Sequence, residues 1–520
     1  MMPPRRGLLA ALAILIGLAA PLAHAQVWDT CKHPRNPHYA IDCGEALFSE
    51  DPLHFTFSSM PPGNGFALGV VLEQNSHYVS PFALPQTAHV VAGGDAAPAQ
   101  PDASTASLHR LGSLWSADGR LAGIASFNGS WVTTGTLTLM PAGYHDDSRT
   151  DRDGQDVQCN RLGPASPHFH LCTRKVFGLH IEATHRSLKT ISFYGTGPQS
   201  PSIKHTFAQD DTYGSVSASL PIQDWLTATS GFEYRQTNLP STASDPLSVS
   251  QNFTPAALPG LSSQPGYAHS HVGLAFQPVL YIDPRTDDLE NNKTGPQFKA
   301  DHIVTFYNTI EYHWFGARGG STYSFQQFIA DSDQNVQLAL ITRHNKQVFE
   351  ITNPISRLYY RFLAHACDEI GLDWSKPKDF VLKPRQQCAL GTLDLRSHLV
   401  ASRTGPASTI PFYLQPTIGG SDIDSRVSLR AYPNYRFRAP DAFFGQTEYS
   451  LRIWKPLGLL LFYDAGTVGQ TFSSLSFAHL RQDAGFGTTV SLQGNVIVQG
   501  YLAFGAGHGP TFGYNFAKLF

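Results

Sequence analysis

Beyond residue 26 the chain has no apolar run long enough to cross a bilayer as a helix, a crossing that takes about 20 apolar residues. Any membrane role therefore has to be carried by strands. Charge is also scarce, at 15% of residues with a net of -3, and no basic stripe is present of the kind a nucleic acid would need. Three enzymatic signatures are missing: a Gly-x-Ser-x-Gly elbow, a His-Glu-x-x-His helix and a Gly-rich phosphate loop. The isolated His, Ser and Asp residues carry no assignable role, so the sequence reads as not an enzyme, with no cofactor and no metal expected.

Aromatic residues, by contrast, reach 12%, and 45 glycines and 36 prolines supply many turns. Mean hydropathy is close to neutral, at -0.18. A chain whose strands show hydrocarbon on one face and polar groups on the other has such an average, with Phe, Tyr and Trp gathering at the interfaces. A secreted β-rich enzyme would share much of this composition, so local pattern has to separate the two.

The chain opens with Arg5 and Arg6, an apolar run from Leu8 to Leu22, and Ala23-His24-Ala25. This is the layout of a secretory signal cleaved after Ala25. Six cysteines follow in three near pairs, Cys31 with Cys43, Cys159 with Cys172, and Cys367 with Cys388. In an exported protein they read first as disulfides. A metal site at Cys172 with His168 and His170 is the weaker reading, because an oxidised pair offers no thiolate. The acidic stretch Asp146 to Asp156 reads as a solvated loop, since Arg149 occupies the first ligand position of a calcium loop.

Alternation begins at Phe66, Leu68, Val70 and Leu72, which is the expected first strand. Similar segments are Trp131 to Met140, Gly178 to Ala183, Tyr213 to Leu220, Trp225 to Tyr234, His271 to Ile282, His302 to Trp314 and Gly391 to Val400. The stretches Ala92 to Ser107, Asn238 to Ser263 and Pro284 to Gln297 read as polar outward loops, and Ser356 to Ile370 as either strand or amphipathic helix.

The C-terminal pattern is sharper. Thr447, Tyr449, Leu451 and Ile453 alternate with Gln446, Glu448, Ser450 and Arg452, so one face carries every charge. The next run, Gly458 to Gly466, is apolar apart from Asp464. Two more alternating strands cover Gly485 to Leu492 and Val496 to Phe504, and the last places Phe512, Tyr514, Phe516 and Phe520 on one parity. An aromatic terminus on the lipid-facing parity is the expected insertion signal of an outer-membrane barrel.

Just before these five strands lie Pro416-Thr417-Ile418-Gly419-Gly420, Leu429-Arg430-Ala431-Tyr432 and Arg436-Phe437-Arg438. With Glu448 and Asp464 they resemble the BamA/TamA-type outer-membrane assembly barrels, or bacterial surface antigens, in which a long loop folds into the lumen before the last five of sixteen strands. The resemblance is specific over residues 411–520. It implies that the arginine of the loop motif, here Arg430, meets Glu448 and Asp464 on the two strands that follow. Physical chemistry points the same way. A lone aspartate in an apolar strand has to turn from lipid, where a charge costs several kcal/mol, and a guanidinium can hold two inward carboxylates.

The expected architecture is thus all-β, a transmembrane antiparallel barrel of sixteen strands with a long loop in its lumen. Residues 1–25 are the signal peptide, 26–64 a short periplasmic segment and 65–520 the outer-membrane barrel. Two departures from the family stand out: Ala431 replaces a common glycine, and segment 26–64 is too short for a periplasmic POTRA domain. The resemblance implies insertion or translocation of proteins or lipids at the outer membrane, with outer-membrane lipid, client proteins and a separate periplasmic partner as its partners and no nucleic acid. The alternative is a passive or plugged pore, or a structural barrel exposed at the surface.

Overall fold

The computed structural model describes residues 53–76, 115–141, 158–161, 169–173, 177–223, 225–240, 245–282, 302–341, 347–350, 371–372, 379–382, 387–424, 426–454, 457–492, 495–505 and 508–516. Its main feature is a sixteen-stranded antiparallel wall. The strands are β1 (Leu53–Ser59), β2 (Phe66–Ser76), β3 (Trp115–Ser126), β4 (Trp131–Pro141), β5 (Gly178–Phe193), β6 (His205–Gln223), β7 (Leu226–Asn238) and β8 (Tyr267–Phe276). They continue with β9 (His302–Ala317), β10 (Phe325–Ile341), β11 (Gln387–Thr404), β12 (Asp441–Trp454), β13 (Leu457–Gly469), β14 (Arg481–Leu492), β15 (Asn495–Gly505) and β16 (His508–Phe516).

Each strand pairs with the next in chain order, from β1 with β2 to β15 with β16. This is the up-and-down order of a transmembrane barrel. The first and last strands come within 8 Å of each other, but among the described residues no ladder joins them.

The period-2 geometry of a strand sorts side chains to opposite faces. Leu461 and Tyr463 of β13 are exposed on the outer face, whereas Leu460, Phe462, Asp464 and Val468 are buried on the inner one. Likewise Val272, Leu274 and Phe276 of β8, Phe486 of β14 and Phe512 and Tyr514 of β16 form part of an outer apolar surface. The core lies inside the wall. One cluster joins Leu188, Ile191, Phe193 and Phe207 of β5 and β6 to Phe412, Tyr413 and Tyr435 of the β11–β12 loop. A second joins Leu429 of the same loop to Ala442, Phe444 and Val468 of β12 and β13.

Four details differ from the sequence reading. The expected first strand at Phe66 is the second, because Leu53-His54-Phe55-Thr56 already alternates, with Phe55 exposed and Thr56 buried. Strands β3 and β10 fall outside the segments that alternation singles out; inward polar groups such as Asp331 and Gln327 dilute the hydrophobic signal. The run His271 to Ile282 is two strands, β8 and Val279–Ile282, parted at Pro278, which has no N–H to give a ladder.

The fourth difference concerns the β7–β8 connection. Asn238 to Ser263 is not simply an outward loop, since Val249 and Leu258 are buried in the lumen cluster with Phe412. Its polar composition is consistent with a chain that turns inward at only a few points. Ser248 caps a short helix at Val249–Asn252, accepting a bond from the Ser250 N–H.

At the opposite end, Phe169–Thr173 pairs with both Gln158–Arg161 and Val279–Ile282. The β4–β5 connection thereby reaches the β8–β9 connection. The same register sets the backbone of Cys159 opposite that of Cys172. Cys388 lies in β11, while Cys31, Cys43, Cys367, the signal segment 1–25 and Phe520 lie outside the described residues.

Candidate functional site: the lumen loop and its arginine lock

Residues 405–440 connect β11 to β12 and double back on themselves inside the wall. Thr417–Ile418 pairs with Phe437–Arg438, and the Gly420 N–H donates to the Leu429 carbonyl. Two glycines make this fold possible. Gly419 and Gly420 have φ of 104° and 57°, and a Cβ on Gly420 would lie 2.2 Å from Oδ1 of Asn434. L residues rarely adopt that backbone, and no side chain fits that gap. Tyr435, facing them, is the one described non-glycine residue with positive φ, 61°, and is held by its N–H donating to the Gly419 carbonyl.

The structure brings the expected lock together. Nη1 of Arg430 lies 2.7 Å from Oε2 of Glu448 on β12, and its Nε lies 3.1 Å from Oδ2 of Asp464 on β13. Nη2 also donates to Oδ1 of Asp464 at 3.3 Å. The guanidinium is 5% exposed and its Asp464 partner 1%, so water does little to screen the pair. Below it the Phe462 ring centroid lies 3.9 Å from the guanidinium carbon, within cation–π range.

The lock extends past the two carboxylates named from sequence. The Ala431 N–H donates to Oδ2 of Asp483 on β14 at 3.0 Å, and the Ala431 carbonyl accepts from the Thr511 hydroxyl on β16 at 3.0 Å. Tyr501 of β15 packs beside Ala431, Leu460 and Phe462. The motif thus touches all five strands that follow it. Asp483 and Thr511 are legible in principle, since both continue the inward parity of their strands. Ala431 needs no glycine conformation here, because its φ is not positive. Leu429 is fully buried, and Tyr432 bridges the two neighbouring clusters.

Other contacts moor the loop elsewhere. Arg186 of β5 pairs with Asp211 of β6 at 2.7 Å and reaches Asp424 of the loop at 3.2 Å. Arg426 of the loop places Nη1 2.7 Å from Nε2 of His398 on β11, whose Nδ1 is 2.6 Å from Oδ1 of Asp331 on β10. Arg436 donates to the Ser200 hydroxyl and carbonyl in the β5–β6 connection. Arg438 is buried and donates to the Phe412 carbonyl at 2.6 Å. Burial pushes its guanidinium down to about 10, still charged at neutral pH. Burial likewise raises the phenol of Tyr435.

Of the C-terminal aromatics, Phe512 and Tyr514 stand on the outer face at 68% and 61% exposure, and Phe516 shares their parity at the end of β16. Sequence reading missed a further group on the inner face, His269 and His271 of β8 with His313 of β9. The signal was available: a His-x-His pair in an alternating strand puts both rings on one side.

No family model and no curated protein matches the chain. Solved structures do. BamA from Haemophilus ducreyi lacking POTRA domains 1–3 is 9% identical, with a TM-score of 0.43 over 90% of this chain and 70% of that one. CdiB from Escherichia coli is 10% identical, with a TM-score of 0.41 over 90% of this chain and 62% of that one. CdiB from Acinetobacter baumannii is 10% identical, with a TM-score of 0.38 over 87% and 55%. These likenesses concern strand arrangement alone.

Proposed function

We propose that this chain is an outer-membrane barrel of the BamA/TamA assembly type that inserts or translocates proteins at the outer membrane, with lipid as the alternative cargo. The observation that carries the reading is the seam. Strands β1 and β16 lie side by side without a ladder among the described residues, while every other neighbour in the wall is paired. A strand edge that no ladder covers is a template onto which another chain can add a strand. A client segment adding there would use main-chain bonds and need little sequence specificity. The Arg430 lock supports the same reading, since the residue beside it ties the lumen loop to β16, one side of that seam.

A passive pore needs an open lumen, whereas the loop, held by apolar clusters and ion pairs, occupies part of this one. Two measurements test the proposal on the full chain. In vesicles, the protein should speed the folding of a separately unfolded outer-membrane barrel. In a planar bilayer it should give a low, unsteady current that rises in Arg430→Ala. A large steady current unchanged by that substitution, with no effect on client folding, would establish a passive pore instead.

A further inference from the structure

The inner face of β7, β8 and β9 carries a second constellation, far in sequence from the loop motif. His269 and His271 sit two and four residues into β8, and His313 lies across the ladder on β9, directly opposite His271. One ring nitrogen of each falls within 4.8 Å of the others. Nε2 of His269 is 2.8 Å from Nδ1 of His313. Nδ1 of His271 is buried with no hydrogen-bond partner among the described residues. A buried nitrogen left in this state costs stability, which a bound ligand would offset.

Two carboxylates back the histidines. Oε2 of Glu311 lies 3.0 Å from Nε2 of His313, the ring nitrogen turned away from His269, and Oε1 of Glu233 lies 3.8 Å from Nδ1 of His269. Arg235 in turn holds Glu233 at 2.8 Å. Such carboxylate–imidazole pairs orient ligating histidines and raise their basicity. The wall also makes room for the third ring. Gly231 on β7 faces His271, and a Cβ there would lie 2.3 Å from the imidazole. Above the cluster, Phe315 stacks on His269 with centroids 4.1 Å apart, and Tyr267, Phe325 and Ile410 close the loop end.

We infer that His269, His271 and His313 form a binding site for one divalent transition-metal ion that favours imidazole, of the zinc class. Imidazole donors suit zinc, copper, iron and nickel, and calcium and magnesium prefer oxygen. Metal–nitrogen bonds of about 2.0–2.1 Å place ligand nitrogens about 3.3 Å apart, so the His269 and His313 rings, whose nitrogens now face each other head-on at 2.8 Å, have to part by about half an ångström and turn toward a shared ion. Three imidazoles leave a further position for water or an oxygen ligand. The site spans three strands of the wall, on the side away from the β1–β16 seam, and goes beyond the proposed function without depending on it.

The test uses the full chain in detergent without a histidine tag, with Co2+ alone as a visible-absorbing probe and Zn2+ as competitor. Wild type should bind one equivalent, displaced by Zn2+. The double variant His269→Gln/His313→Gln should lose that equivalent, and Glu311→Gln should weaken binding by about 10- to 100-fold. Gly231→Ala alters no ligand but crowds His271, and should also weaken it; this variant keeps the test decisive if the double variant fails to fold. Absence of saturable binding in wild type would overturn the assignment. Full binding retained in the double variant would overturn it too, by placing the ion on other side chains such as His168 and His170.

Discussion

Two arginines moor the lumen loop on opposite sides, and they do so in opposite ways. On the C-terminal side the cation belongs to the loop and the carboxylates to the wall: Arg430 enters between Glu448 and Asp464, with every partner at most one-fifth exposed. On the other side the cation belongs to the wall. Arg186 spends its buried contact on Asp211, a wall neighbour, and reaches the loop only through Asp424, whose side chain is 72% exposed. Buried, hydrogen-bonded pairs are expensive to break, while exposed ones contribute little. Ion pairing therefore ties the loop firmly to β12 and β13 and only weakly to β5 and β6, where apolar packing of Phe412, Tyr413 and Tyr435 against Leu188, Ile191, Phe193 and Phe207 holds it instead.

The sharpest way to break that asymmetry is Arg430→Ala. Removal leaves Asp464 facing Asp483 across the β13–β14 ladder, with Glu448 nearby, and no cation among them. Breaking one side of a buried pair costs about 3–5 kcal/mol, so the folded band on an unboiled gel should vanish at a clearly lower temperature. Arg430→Lys should recover only part of the loss, since a point charge cannot grip two carboxylates as a planar fork does. Retention of wild-type heat resistance by Arg430→Ala would show that the loop is held by apolar packing alone.

A smaller effect is expected where the loop folds on itself. Gly420→Ala puts a methyl against Asn434 in a left-handed backbone, at a cost of about 1–3 kcal/mol. The same unboiled-gel assay checks it. This substitution should raise bilayer current less than Arg430→Ala does, because the lock itself stays intact. Equal currents from the two would mean that loop shape, and not the lock, keeps the lumen filled.

Much of the lock is legible in the sequence. The parity of β12 and β13 alone places Glu448 and Asp464 inward, because a charge facing hydrocarbon is so unfavourable that position follows from pattern. Strand β10 escapes such a reading because its inner face carries Gln327 and Asp331, and a strand with a polar lumen side and few large outer residues gives a weak alternation. The inward turn of residues 245–266 escapes for another reason. Only a few buried anchors, Val249 and Leu258 among them, hold it, and two apolar residues in a polar stretch look like chance. Pairings over long separations, such as Arg186 with Asp424, have no local signature. They depend on which strands the wall brings face to face.

The end of the barrel away from the loop should respond least to covalent change, and its cysteines allow that to be measured. Cys159 and Cys172 hold directly opposed register positions in a short antiparallel pair, where Cβ atoms stand about 4.5–5.5 Å apart, and small adjustments bring them to the roughly 3.8 Å of a disulfide. Mass analysis of unreduced, digested protein should therefore find a Cys159–Cys172 link. Its reduction should leave heat resistance nearly unchanged, because the link closes a short connection outside the sixteen-strand wall. A link of either cysteine to Cys388 instead would require a different arrangement of the β4–β5 connection.

An equally small effect bears most directly on the two moorings. Asp424→Asn removes the charge that Arg186 meets on the loop but leaves the Arg186–Asp211 pair whole. An ion pair whose acid is mostly in water is worth under about 1 kcal/mol, so heat resistance should move little and should move less still at high salt, where exposed charges are screened. A loss as large as that of Arg430→Ala would mean that the exposed Arg186–Asp424 pair holds the loop as firmly as the buried Arg430 lock does. Ion pairs would then brace the loop equally from both sides of the lumen, and exposure of the acid would not set what such a pair is worth.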